Sequence, residues 1–303
     1  MKKVLVLYYS QSGQLKEVID SFISKLPDKE ITVDLKKIEP KKSYPYPWPF
    51  YEFFDEFPES VYLDGCEVQE LNNLEDDYDL IILGYTVWFL APSLPITGFL
   101  KSSQAKKLLK DKPVVTLIAC RDMWVMAQEK MKKLLSDIDA KLVDNVVLTD
   151  QGKSVYTFFT TPRWLLTGKK DRFWIFPPAG IAKEEIEAAS RFGERLNESL
   201  KQDKEKSGEA MLKNLGAVSA NGKLIATEKI ATRSFMIWGR LIKLSGPKYS
   251  LGRKVTITVY SVFLLTLVLT IVPLNIMIRK LIYPLQKDKI ALLEEYYEQP
   301  SGK

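Results

Sequence analysis

Short apolar runs alternate, over the first two thirds of the chain, with stretches whose hydrophobic positions recur at helical spacing. Lys3–Tyr9 (KVLVLYY), Ile31–Leu35, Tyr78–Tyr85 (YDLIILGY), Pro113–Ala119 (PVVTLIA) and Ala140–Leu148 (AKLVDNVVL) predict five β-strands. Helices are predicted from the Ser/Gly turn after the first run to about Leu26, near Ala127–Leu135, and over Ala182–Leu200. The third run is almost continuously hydrophobic, as a parallel strand covered on both faces must be. Strands alternating with helices predict a doubly wound α/β domain over residues 1–200 with a five-stranded parallel sheet. Ligands of such sheets sit beyond the carboxyl ends of the strands, where the strand order reverses. The loops after the first, third and fourth strands are therefore the candidate site.

Beyond residue 200 the pattern changes. Val255–Ile278 holds 24 residues without a formal charge. As a helix it reaches roughly 36 Å, enough to cross a hydrocarbon core of about 30 Å. Upstream, Lys229–Leu244 places Lys229, Arg233, Arg240 and Lys243 on one side of a helical wheel. Ile230, Phe235, Ile237, Trp238, Leu241, Ile242 and Leu244 take the other side, and only Met236 breaks the partition. This is the pattern of a helix lying in a membrane interface, and equally of an amphipathic helix packed on the domain. The expected organisation is a basic linker and amphipathic helix over 201–253, a membrane segment over 254–282 and a tail over 283–303. Five Lys/Arg precede the apolar run within twenty residues and four follow it, so charge scarcely orients it. Pro273 leaves a hairpin open beside a single pass. The six apolar residues after Met1-Lys2-Lys3 are too few for a signal sequence, so the large domain is expected on the cytoplasmic face of the membrane.

Charge and composition narrow the chemistry. The 303 residues carry a net charge of +6 and no histidine. That excludes Ser-His-Asp and Cys-His nucleophiles, HExxH zinc sites and imidazole acid–base catalysis. Two cysteines far apart, Cys66 and Cys120, make no disulfide framework or thiolate metal site, and no metal is expected. Eleven acids and no basic residue lie between Lys42 and Lys101, whereas Ser199–Lys254 holds twelve Lys/Arg against four acids. The basic excess adjoins the apolar run, so membrane lipid rather than nucleic acid is the expected partner. Carboxylate, amine and hydroxyl chemistry remains, together with whatever a cofactor supplies.

After the first strand comes Ser10-Gln11-Ser12-Gly13-Gln14-Leu15. Hydroxyls, a glycine and free N–H groups at a helix start suit an anion. Neither GKS/GKT nor GxGxxG is present, so the loop is neither a nucleoside-triphosphate loop nor a dinucleotide fingerprint.

YYSQSGQ after the first strand resembles the phosphate loop of flavodoxin-like FMN proteins, whose pattern is hydroxyl-x-hydroxyl-Gly-x-Thr. ILGYTVWFLAPSLPITGFLKS (Ile82–Ser102) is similar to the same family's loop after the third strand. Leu15 departs from the pattern, which has threonine there. YYSQSGQ, the aromatic insert YPYPWPFYEFFDEFPESV (Tyr44–Val61) and ACRDMWVMAQEK (Ala119–Lys130) further resemble the dialkylresorcinol-condensing (aromatase) proteins of bacterial aryl-lipid and pigment pathways.

The resemblance implies a flavodoxin-like fold that holds FMN through Ser10, Gln11, Ser12, Gly13, Gln14 and Leu15, and through Thr86, Val87, Trp88, Phe89, Leu90 and Cys120. Trp88 or Phe89 would stack on the isoalloxazine; the alternative is that both are core. Arg121 would stabilise negative charge at the flavin edge or on an enolate, the alternative being a surface pair with Asp122. Cys120 reads as a buried strand-end residue, with no histidine to activate it. The insert over 43–64 would roof a pocket for an alkylated ring, with Tyr46, Trp48, Phe50, Phe53, Phe54 and Trp124 as substrate-binding residues, or would only cover a sheet edge. The implied activity is FMN-dependent aromatisation of a dialkylcyclohexanedione to a dialkylresorcinol, with a ketosynthase partner supplying the dione. An NAD(P)H:quinone reductase and a non-enzymatic membrane-tethered scaffold are the alternatives.

Overall fold

The computed structural model describes residues 1–75 and 77–299; the side chains of 271–273 and 275–285 lie outside that description. Five strands form one parallel sheet: β1 (Lys2–Tyr8), β2 (Ile31–Lys37), β3 (Leu80–Tyr85), β4 (Pro113–Cys120) and β5 (Lys141–Thr149). Their order is β2-β1-β3-β4-β5, the flavodoxin-like order, which reverses between β1 and β3. Each predicted strand is present within two residues of its expected ends. A register shift between Val114 and Val115 interrupts the β4–β5 ladder.

The alternation of side chains along the strands builds two cores. On one face Leu5, Leu7, Ile81, Leu83, Val114 and Ile118 pack beneath α4 (Leu94–Leu100), α5 (Ser103–Leu109) and α6 (Val125–Ser136). On the other, Val4, Val6, Leu80, Ile82, Val115 and Leu117 pack beneath α1 (Gln14–Ile23) and α9 (Ser190–Lys201). Every residue of β3 is buried, as its nearly unbroken hydrophobicity requires. The expected closing helix is two: α8 (Lys183–Ala188) precedes α9, with Ala189 between them buried in the core.

The aromatic insert is helical as well as extended. Prolines 45, 47 and 49 hold its first part open, and α2 (Phe50–Asp55) and α3 (Phe57–Val61) follow. Between β5 and α8 lies α7 (Ser154–Thr167), which strand and helix periodicity did not single out. The basic helix is α10 (Gly222–Leu244), and the apolar run lies inside α11 (Leu251–Glu298). The expected tail is thus helical as far as Glu298. Among the described residues α11 is the one helix long and apolar enough to cross a membrane, over Leu251–Thr270.

α10 divides its apolar residues between a buried and an exposed set. Ile225 and Ile242 are buried against the domain, while Ile230, Ile237, Leu241 and Leu244 remain exposed in a stripe beside Arg233 and Arg240. A third core joins Phe57 and Val61 of α3, Ile242 of α10, and Ile257 and Tyr260 of α11. The acidic and basic segments meet here. Arg253 reaches Asp55 and Glu59, both at 2.6 Å, Lys248 reaches Glu56 at 2.7 Å, and Lys243 pairs with Asp64.

Candidate functional site

β1 ends in Tyr8, and its ladder partner on β3 is Gly84. Two residues further along each strand stand Ser10 and Thr86, so the switch point of the sheet is flanked by two hydroxyls. Both Oγ atoms are buried and lack a hydrogen-bond partner. A buried unpaired hydroxyl costs about 1–3 kcal/mol, so each is placed to bond a polar atom of a ligand. Gly13 closes the loop in a left-handed conformation (φ 90°), with open space where a Cβ would stand. Behind it, the first N–H groups of α1 are free of a side-chain cap.

The rest of the loop is tied in place. Gln11 Nε2 donates to Pro45 O (2.7 Å), and Gln11 Oε1 accepts from Trp48 Nε1 (2.9 Å), which locks the loop to the insert. Gln14 accepts from Ile181 N (3.2 Å) and donates to Ile181 O (3.4 Å). Leu15, where the family pattern has threonine, is fully packed in the core beneath α1, so only its backbone faces the loop chemistry. Ser12 is exposed. Beside Gln14 opens a cavity of about 910 Å³ whose wall includes Lys153, Lys170, Arg172 and Lys183, cations the loop itself lacks.

After β3, Val87–Trp88 and Ala91–Pro92 pair as a tiny antiparallel ladder. Its two linking residues, Phe89 (φ 50°) and Leu90 (φ 59°), are both left-handed, the conformation of a turn that usually carries Asn-Gly. Side chains there cost about 1–2 kcal/mol each. Ring contacts of Phe89 with Phe53 (4.7 Å) and Phe57 (5.1 Å) hold the turn against that strain. Trp88 is 8% exposed and enclosed by Tyr9, Tyr44 and Trp48 at 5.2–6.0 Å between ring centroids. Trp88 is thus packed among Tyr9 and the insert, and Phe89 joins the core around α3. Val87 is half-buried and Leu90 buried.

After β4, Arg121 lies over the ring of Phe158 (4.3 Å) and makes no ion pair among the described residues. Burial weighs against its charge, opposed by nearby Asp122 and Asp150. Burial pushes the Cys120 thiol well up from its ordinary range. Trp124, at 4% exposure, is part of the core. Asp122 accepts from Ser154 Oγ (2.7 Å), and Asp150 accepts from Gly152 N (2.8 Å) and Gly180 N (2.7 Å). Burial raises Asp150 above the usual carboxylate range despite these donors.

One helix links the loop after β4 to the insert and, through Trp48, to the loop after β1. The start of α7 meets Asp122 through Ser154, its middle carries Phe158 under Arg121, and its end accepts from the insert. There Leu165 O accepts from Trp48 N (2.9 Å) and Trp164 O from Tyr46 Oη (3.4 Å). Trp48 in turn holds Gln11. α7 therefore spans from the end of β4 to the loop after β1, across the mouth of the crevice. Its Thr160 and Thr161 hydroxyls are buried and unpaired, like Ser10 and Thr86. Sequence reasoning missed these threonines; the signal was two adjacent hydroxyls inside the apolar run YTFFTTPRW.

A second group it missed is Glu228 of α10, almost fully buried. Its carboxylate accepts from Met126 N (2.8 Å) at the start of α6, and burial raises it to about 8. The expected substrate residues separate. Tyr46, Trp48 and Phe53 line the roof, Phe54 turns toward Tyr260 of α11 (6.2 Å), and Phe50 is exposed beside Tyr51. No group of three or more potential ligands for a metal occurs among the described residues.

No protein-family model matches the chain, and no curated protein matches it in sequence. Among solved structures it is similar to a flavoprotein in complex with FMN from Lactobacillus acidophilus, at 25% identity over 48% of this chain and 93% of that one, TM-score 0.39. It is also similar to flavodoxin 1 from Bacillus cereus (15% identity, 63% and 95% covered, TM-score 0.35). A third is rubredoxin oxygen:oxidoreductase from Desulfovibrio gigas (10% identity, 67% and 37% covered, TM-score 0.38). The flavodoxin-like fold of this chain rests on its own strand order.

Proposed function

We propose that the chain is an FMN-dependent oxidoreductase that works on a hydrophobic ring substrate at a membrane surface. The observation that carries this is the pair of buried, unpartnered hydroxyls of Ser10 and Thr86 at the switch point, under a roof made by α7 and the insert. Ser10 Oγ and the uncapped N–H groups after Gly13 fit a phosphate, and Thr86 Oγ1 fits a polar chain running along the crevice. When bound, FMN supplies two-electron redox chemistry, which this histidine-free chain lacks.

The chain's own groups do the rest. Trp48, Tyr46 and α7 exclude water from the crevice. Arg121, held by Phe158 and without a paired carboxylate among the described residues, favours a developing enolate or phenolate. Asp122 and Asp150 stand beside it to take or give a proton, and the Asp150 carboxyl is already raised by burial. In the form that the sequence resemblance implies, a dialkylcyclohexanedione gives up two electrons and two protons to become a dialkylresorcinol, and a ketosynthase supplies the dione.

A lipid-phase substrate is supported by a continuous aromatic seam. Ring contacts run from Trp88 through Trp48, Phe53 and Phe54 to Tyr260 of α11, and on through Trp238 to Phe263, at 5.1–6.2 Å between centroids. Apolar residues of α11, among them Val255, Val259, Val262 and Leu269, are exposed, as is the α10 stripe with its basic border.

The test is the visible spectrum of the purified full-length protein. A bound flavin, released as FMN on denaturation, is expected; a protein that stays colourless through FMN titration overturns the proposal. With FMN in place, turnover of the dione is expected. NAD(P)H-driven reduction of short quinones without dione turnover would assign quinone reductase activity instead.

A further inference from the structure

Both ends of α11 are fastened to the same domain. At its start, Arg253 is sunk between Asp55 and Glu59, Tyr249 N donates to Asp55 Oδ2 (3.1 Å), and Tyr260 stacks on Phe57 (4.7 Å). At its end, Glu294 Oε1 accepts from Gly222 N (2.9 Å) and Glu298 Oε1 accepts from Ala220 N (3.1 Å). Two carboxylates thereby lie at the start of α10, beside its Asn221 cap, where the helix dipole favours them. Leu293 and Tyr297 pack on the core beneath α6, and Lys229 lies over the Tyr297 ring (5.6 Å). The approach is so close that a Cβ on Gly222 would stand 2.8 Å from Ile290 Cγ2 and 3.0 Å from Ile290 O.

These contacts fix the path of the helix. Trp238 of α10 touches Tyr260, and Gly222 of α10 touches Ile290. At 1.5 Å per residue the two α10 positions, Gly222 and Trp238, are about 24 Å apart, whereas α11 runs roughly 45 Å of helix between Tyr260 and Ile290. A straight rod cannot meet both. α11 is one unbroken helix, so it bends between Tyr260 and Ile290, and the sequence sets prolines at 273 and 284 in that stretch.

We infer that α11 is not a single-pass span but a re-entrant anchor, which dips into the bilayer from one side and returns its last two turns to the α/β domain. The inference rests on the membrane reading above. A single pass would carry Glu294, Tyr297 and Glu298 across about 30 Å of hydrocarbon, away from Gly222, Ala220 and the core they fill. It would also strand two carboxylates and leave Gly222 N and Ala220 N without these acceptors, so that the start of α10 would keep only its Asn221 cap. The exposed stripe Ile230, Ile237, Leu241 and Leu244, with Arg233 and Arg240 beside it, then faces the headgroups of the same leaflet.

The experiment uses the full chain with Cys66 and Cys120 replaced by serine, carrying either Lys29→Cys on the domain or Gln299→Cys after α11; both native residues are exposed. Sealed membrane vesicles of each orientation are treated with a membrane-impermeant maleimide. Labelling of both positions from the same side, with protein retained in the membrane after carbonate washing, is the expected result. Labelling from opposite sides overturns the re-entrant path while leaving the membrane reading intact. Release of the protein by carbonate overturns both, and that outcome is read from the pellet before any label is counted.

Discussion

Arg253 Nε stands 2.6 Å from Asp55 Oδ1 although 198 residues separate the two, and both side chains are at least 96% buried. The atoms lie off hydrogen-bond alignment, so this is a charge contact, while Nη2 donates squarely to Glu59 Oε2 at 2.6 Å. The acidic insert and the basic root of the apolar helix, two anomalies of charge in the sequence, therefore neutralise each other in one place.

Breaking that contact from one side leaves buried charge uncompensated. Arg253→Ala is expected to destabilise the protein by about 3–5 kcal/mol. Arg253→Met with Asp55→Leu and Glu59→Leu, which removes all three charges together, is expected to recover most of the loss. Thermal unfolding of the three proteins in one detergent or lipid checks this.

Ser10→Ala and Thr86→Ala are expected to act in opposite directions on the empty and loaded protein. Without FMN each leaves stability unchanged or slightly raised, because an unpaired buried hydroxyl is removed. With FMN each weakens binding about 5- to 15-fold, the equivalent of one hydrogen bond of about 1–1.5 kcal/mol. Fluorescence titration with FMN, paired with melting of the flavin-free protein, separates the two effects.

Two buried carboxyls set a pH dependence. Desolvation raises Glu228 to about 8 and Asp144, whose carboxylate accepts from Met211 N (2.6 Å), to about 7. Both groups lose their protons near pH 4 in the unfolded chain, so above that pH the folded chain holds more protons. Stability is therefore greatest at the acid end and falls as pH rises toward 8, by at most about 1.4 kcal/mol per pH unit for each group. Melting at pH 5, 6, 7 and 8 should show the decline, and Glu228→Gln, which keeps an acceptor for Met126 N, should flatten its upper half.

Gly222→Val is expected to unseat the end of α11 without unfolding the domain, since the new side chain would occupy the space of Ile290. Faster proteolytic trimming of the last helix with an unchanged domain melting temperature is the expected readout.

The five strands and the loop after the first were legible because each depends on a local signal. A run such as Leu80–Tyr85 is almost continuously hydrophobic only if both faces are covered, and Ser10–Gly13 follows a strand and opens a helix. The insert was legible as aromatic but not as helical, because its prolines mask the short turns of α2 and α3. Trp88 and Trp124 were read toward ligand and lie in the core, since an aromatic residue beside a loop carries the same sequence signal in either place.

What the sequence by itself determined is which segments must be buried, which carry charge of one sign, and which stretch is apolar enough for a bilayer. Only the tertiary structure decided the partners: Arg253 with Asp55 and Glu59, α7 across the crevice, Glu228 at the start of α6, and Glu294 back at Gly222. The reason is physical. Periodicity and composition report the environment that one segment requires, whereas a pairing between distant segments depends on shape, charge and loop closure, which arise only when the chain has folded.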